Sequence, residues 1–190
     1  MRGTGHTQKQ WNLRYNHGGV LRNIRKGRRF RPLSTREPIH LVLKAQRSVQ
    51  RRGGFRSPQE FLIVQKVIRQ YAKRFFVKVE QVAVAGDHIH MLIRLSKRAL
   101  GQHFFRVVAG QIAQRFEQAD LLVTGTPGKT KKKEKLWRYR PFTRVVRGWR
   151  AYLIVRDYVQ LNKKEAEGQI PYRKTRLKGL SSAEWRLLRR

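Results

Sequence analysis

Cysteine is absent from this 190-residue chain. Its absence excludes disulfides, thiolate zinc sites and cysteine nucleophiles together, and leaves His, carboxylates and amide oxygens as possible metal ligands. Acidic residues are scarce: 11 Asp and Glu stand against 45 Lys and Arg, a formal charge of +34. That imbalance exceeds what solubility requires and implies a polyanionic partner. Each neutralised phosphate releases condensed counterions, so nucleic acid should bind tightly and with steep salt dependence. Also missing are an apolar run of about 18 residues and an apolar N-terminal signal segment. The expected partner is therefore not a membrane, and the expected location is cytoplasmic. Hydrophobic residues make up 39% of the chain, enough for the core of one domain and cramped for two.

The polar, Gly-rich stretch 1–36 reads as a basic arm, densest at Arg25, Lys26, Arg28 and Arg29. Ile39 to Ala45 alternates as a strand. Ser57-Pro58-Gln59-Glu60 has the form of a capping box, and Phe61, Val64, Val67, Ile68 and Tyr71 follow at helical spacing to about Phe75. Two alternating runs, Phe76 to Ala85 and His88 to Leu95, flank Gly86-Asp87 as a hairpin. Leu100, Phe104, Val107, Val108, Ile112 and Phe116 predict a helix from about Arg98 to Ala119. Leu136 to Arg147 reads as a fourth strand interrupted at Pro141, and Trp149 to about Glu167 as a third helix ended by Gly168. Residues 37–168 thus form one domain, and 169–190 a basic tail containing Arg173, Lys174 and Arg176. The first six elements predict an α+β, ferredoxin-like (RRM-like) antiparallel sheet with helices on one face, to which a C-terminal helix is added.

Gly125-Thr126-Pro127-Gly128-Lys129-Thr130 imitates a phosphate-cradling loop. A Walker motif ending there needs glycine at position 123, which is Val123. No nucleotide cofactor is expected, and Lys131, Lys132 and Lys133 read as contacts to a nucleic-acid backbone.

Side chains alternate across a strand, so His88, His90, Leu92 and Arg94 share one face of their strand while Ile89, Met91, Ile93 and Leu95 share the other. The uniformly apolar row must face core. The two imidazoles then project together from the opposite face, close enough to hold one cation. On the last helix Tyr158 and Asn162 are four apart and lie on one side, so a phenol and an amide point together.

His-hydrophobic-His on a central strand, followed by a helical Tyr with an amide four residues on, resembles the HUH single-tyrosine transposases. More narrowly, it is similar to the small insertion-sequence transposases of that type and to relatives associated with repetitive extragenic palindromes (REP). The resemblance spans about Pro38 to Gly168. Asp87 stands where the family carries Asn, and Lys163 where it carries Pro. The resemblance implies that His88, His90 and Asn162 hold a divalent ion, Mg²⁺ or Mn²⁺, against a scissile DNA phosphate while Tyr158 attacks. A covalent 5′-phosphotyrosine would follow, on single-stranded or hairpin DNA in a bacterial nucleoid, with the protein acting as a monomer or a homodimer. Tyr152 and Tyr139 are poorer nucleophile candidates: Arg156 stands four residues after the first, and the second lies in the strand region. Two alternatives share the charge pattern: a non-catalytic ribosomal or RNP-like protein, and an HUH replication initiator or relaxase, which usually has more His ligands or paired tyrosines.

Overall fold

The computed structural model describes residues 15–21, 30–123 and 135–189. Five strands, β1 (Asn16–His17), β2 (Ile39–Lys44), β3 (Val77–Val84), β4 (His88–Leu95) and β5 (Phe142–Val145), form one sheet in the order β1-β5-β2-β4-β3, every pair antiparallel. Among the described residues it is accompanied by the α-helices α1 (Pro58–Arg74), α2 (Arg98–Gln118), α3 (Trp149–Ala166) and α4 (Ser182–Arg189). From β2 to β5 the order is that of the expected ferredoxin-like sandwich.

Alternation decides which face of β4 meets which layer. Ile89, Met91, Ile93 and Leu95 join Ile39, Leu41 and Leu43 of β2 in the main core beneath α1 and α2, which contribute Val64, Val67 and Ile68, and Phe104, Val108, Ile112 and Phe116. At about 1.5–3 kcal/mol per fully buried large side chain, this layer dominates the stability of the fold. The opposite face is also covered. Leu92 and Ala83 pack against Val155 and Val159, one turn apart on α3, so α3 lies across the side of the sheet that carries the histidines.

Four local expectations change. Ser57 caps α1 without a side-chain capping bond, because its hydroxyl donates to the Arg52 carbonyl oxygen (3.4 Å), and the backbone contact Phe61 N–H to Ser57 O (2.9 Å) closes the first turn. The fourth strand shortens to Phe142–Val145: Pro141 has no N–H for a ladder, and its carbonyl oxygen accepts from Arg31 (2.8 Å). The arm is partly sheet, since Asn16 and His17 pair with Arg144 and Thr143 as an edge strand. The tail also folds: Ile170 and Leu188 pack against Leu161 of α3, and Leu177, Leu180 and Trp185 lie around them.

Gly54 shapes the turn that leads into β4. Its φ is +54°, and a Cβ there would collide with the Gly86 carbonyl oxygen, which accepts from Phe55 N–H (2.9 Å) and Gln50 Nε2 (3.1 Å). Gly54→Ala should therefore cost at least about 2 kcal/mol, read as a lowered denaturation midpoint with an unchanged denaturant slope. An unaltered midpoint would show that this turn yields without strain.

Candidate active site

β4 begins at His88, directly after the turn residue Asp87. The Asp87 carboxylate accepts from His88 Nδ1 (2.6 Å) and from Arg47 Nε (2.9 Å). Burial would raise this carboxyl, but hydrogen bonding and charge from His88, then from Arg47, outweigh it and hold the group below its ordinary value. With Nδ1–H committed to a carboxylate, His88 presents Nε2 outward, the arrangement that orients a metal-binding imidazole.

His90, two residues on, is buried, and its ring lies 4.7 Å from that of His88 and nearly perpendicular to it. Its Nδ1 is 3.0 Å from Nε2 of His40, a β2 residue that pairs with Leu92 and so sits diagonally across the same face. His90 Nε2 is buried without a hydrogen-bond partner among the described residues. Burial, followed by the charges of His40, His88 and Arg176, pushes the His90 imidazole well below its usual range; burial and Arg144 lower His40 to about 4. Both rings are therefore neutral at physiological pH. If His90 Nδ1–H donates to His40, a lone pair remains on His90 Nε2, the form required of a ligand.

α3 supplies the other half. Packing of Val155 and Val159 on the sheet turns the intervening flank toward the histidines, and the Tyr158 ring stands edge-on to His90, 5.4 Å between centroids. Asn162, one turn further, is buried; its Nδ2 donates to the Tyr158 carbonyl oxygen (2.6 Å) and its Oδ1 accepts from Arg176 (3.0 Å). Arg176 also bonds both oxygens of Glu165 (2.8 and 2.9 Å), and its guanidinium lies 5.3 Å from the centre of the Tyr158 ring and 5.2 Å from that of Tyr172. Both Glu165 bonds come from Nη1, and a charge-assisted contact of this kind is stronger than a neutral hydrogen bond and leaves Nη2 free to hold Asn162.

The fold brings together His88, His90, Tyr158 and Asn162. Of the tail residues, Arg176 enters the site instead of remaining a surface charge, Arg173 pairs with Glu184 (2.9 Å), and Lys174 is exposed. Arg25, Lys26, Arg28, Arg29, Lys131, Lys132 and Lys133 lie outside the described residues, as does the loop that imitates a phosphate-binding motif. Sequence reasoning missed His40, Arg47 and Glu165, and took Arg176 for a tail charge. Only His40 had a signal, its place on the non-core face of β2, and that became informative once the β2–β4 register was known. Among the described residues no group of three His, Asp or Glu could hold a metal, so the candidate ligand set needs the Asn162 amide. The orphaned His90 Nε2 and the carboxylate-oriented His88 suit a divalent ion; Asn162 Oδ1 suits one after Arg176 releases it. No described helix is long and apolar enough to cross a membrane.

Comparison with known proteins gives a family and a fold. The family described as IS200-like transposase matches residues 38–162. Among solved structures, a REP-associated tyrosine transposase bound to a REP hairpin aligns over 76% of each chain with a TM-score of 0.54 at 12% identity, which establishes a common fold. A transposase structure from Deinococcus radiodurans R1 aligns over 73% of this chain and 97% of its own, with a TM-score of 0.42 at 16% identity. No curated protein matches.

The buried neutral imidazoles make stability depend on pH. The fold disfavours the protonated rings, so the unfolded chain binds the extra protons: His40 contributes full stability above about pH 6.5, which is lost as pH falls toward 4. The stability of wild type relative to His40→Asn should therefore fall by up to about 3 kcal/mol across that window, measured by denaturant titration of metal-free protein. A pH-independent difference would mean that His40 is not held neutral.

Proposed function

Because the chain belongs to the IS200-like transposase family, we propose that it cleaves and rejoins single-stranded DNA through Tyr158, with His88, His90 and Asn162 as the ligands of a divalent ion, Mg²⁺ or Mn²⁺. The observation that carries this reading is the buried, neutral His90, whose Nε2 has no partner among the described residues and whose ring meets that of Tyr158 edge-on.

The Tyr158 oxygen attacks the scissile phosphorus. The P–O3′ bond breaks, the 3′ oxygen leaves as a hydroxyl with a proton, and the 5′ phosphate remains esterified to the phenol. A 3′ hydroxyl then attacks the phosphotyrosine, restores a phosphodiester and releases the phenol. One phosphodiester is exchanged for another of similar energy, so no nucleotide is consumed. The bound ion supplies Lewis-acid polarisation of the phosphate. Asp87 sets the tautomer and orientation of His88, and His40 those of His90. Arg176, over the Tyr158 ring, places a cation where negative charge develops. The REP-associated relative bound to a hairpin makes hairpin-forming DNA the proposed substrate, and the surplus of Lys and Arg supplies its phosphate contacts.

Incubation with single-stranded hairpin DNA and Mn²⁺, followed by a denaturing gel, should give a covalent protein–DNA band that Tyr158→Phe abolishes and His90→Ala reduces by about 100-fold or more. A band that persists in Tyr158→Phe would assign the nucleophile elsewhere. Titration with Mn²⁺, read by loss of the free-ion spin resonance signal, tests the ligand set separately. Arg176→Ala releases Asn162 Oδ1 and should tighten Mn²⁺ binding severalfold; unchanged affinity would remove Asn162 from the ligands.

A further inference from the structure

Two clefts meet the candidate site. One, about 500 Å³, includes His88 and Asn162 with Arg47, Arg51 and Arg56, a polar, cationic lining suited to a sugar-phosphate backbone. The other, about 950 Å³, lies between β5, α3 and the folded tail, and its walls differ in kind. They include Tyr158, Phe142, Ile154, Leu177 and Trp185. Ile154 is 60% exposed and Phe142 and Trp185 are half-buried, so apolar and aromatic surface faces the opening. Arg144 and Lys178 belong to the same lining. Its acidic member, Asp157, is already paired with Arg156 (2.6 Å). Asn16, from the edge strand, also lines the cleft.

We propose that this second cleft is a nucleobase pocket. It takes, unstacked, the base of a nucleotide flanking the scissile phosphate, held between the Phe142 and Trp185 side of the cleft and Ile154. The occupant follows from three features together. A strand whose phosphate reaches Tyr158 must direct the neighbouring base somewhere, and the cleft shares Tyr158 as a wall. Aromatic and apolar walls fit a π-face of any base, with stacking the usual source of single-strand affinity. The cations of the lining balance the adjoining phosphates. The charge of +34 favours nucleic acid over an apolar metabolite or a second, equally basic copy of the chain. This pocket would add affinity for a base beside the cut, whatever its identity, apart from recognition of the hairpin. The inference rests on Tyr158 as nucleophile but concerns binding, which can be measured without cleavage.

The test uses the full chain and two single strands of about 20 nucleotides with equal charge, one of mixed sequence and one abasic throughout, compared by fluorescence anisotropy at fixed salt. Wild type should prefer the base-bearing strand by about tenfold or more. Phe142→Leu and Trp185→Leu keep apolar bulk and lose the aromatic face; each should shrink the preference severalfold and leave abasic-strand affinity unchanged. Equal affinity of wild type for both strands would overturn the pocket. Photocross-linking with 5-iodouracil strands locates the base: adducts at Phe142 or Trp185 support the pocket. Adducts confined to the exposed Trp149, which stacks on Tyr152 (5.2 Å), would overturn it. Cross-links in the cleft without a covalent Tyr158 band would keep the pocket and remove the nucleophile, whereas a Tyr158 band without cross-links in the cleft would do the reverse.

Discussion

The apolar contact between α3 and the second face of the sheet is the constraint on which the site depends. Leu92 is fully buried on the same face of β4 as His88 and His90, and Val155 and Val159 of α3 rest over Leu92 and Ala83. Burial of these four side chains contributes several kcal/mol, and Tyr158 follows because it immediately precedes Val159. Without that contact the histidines would lie on an open, solvated sheet face. With it, His90 is enclosed and faces a phenol.

Enclosure has electrostatic consequences. A buried imidazole resists protonation, and His90 and His40 are both depressed for that reason first. The His40–His90 contact and the His88–Asp87 contact then orient the His90 and His88 rings from opposite sides. The same low-dielectric surroundings strengthen the Arg176–Glu165 pair and hold Arg176 against Asn162. The site is thus a small polar network enclosed by two apolar layers, and its members come from β2, β4, α3 and the tail.

Much of this was legible in the chain. Period-two alternation in Ile39–Lys44 and His88–Leu95 and helical spacing in Pro58–Arg74 and Arg98–Gln118 carried the fold, because each element has one predominantly apolar side. The pairs His88/His90 and Tyr158/Asn162 were visible because strand and helix periods place them on single faces. Less visible were features that need a partner distant in sequence. Asn16–His17 becomes a strand only because β5 offers an edge, and Arg176 is internal only because the tail folds back on Leu161. Ser57 has the residue pattern of a capping box, yet its hydroxyl finds Arg52, since the Gly53–Gly54 turn brings that carbonyl close.

By itself, the sequence determined the cationic surplus, the exclusion of thiol chemistry, the order of the elements from β2 to α3 and the two residue pairs of the candidate site, because these follow from composition and from periodicities of two and about 3.6 residues. Tertiary structure decided the register that sets His40 against His90, the docking that brings Tyr158 to within 5.4 Å of that ring, and the entry of Arg176. Those depend on how apolar faces distant along the chain meet, and local pattern carries no information about which faces will do so.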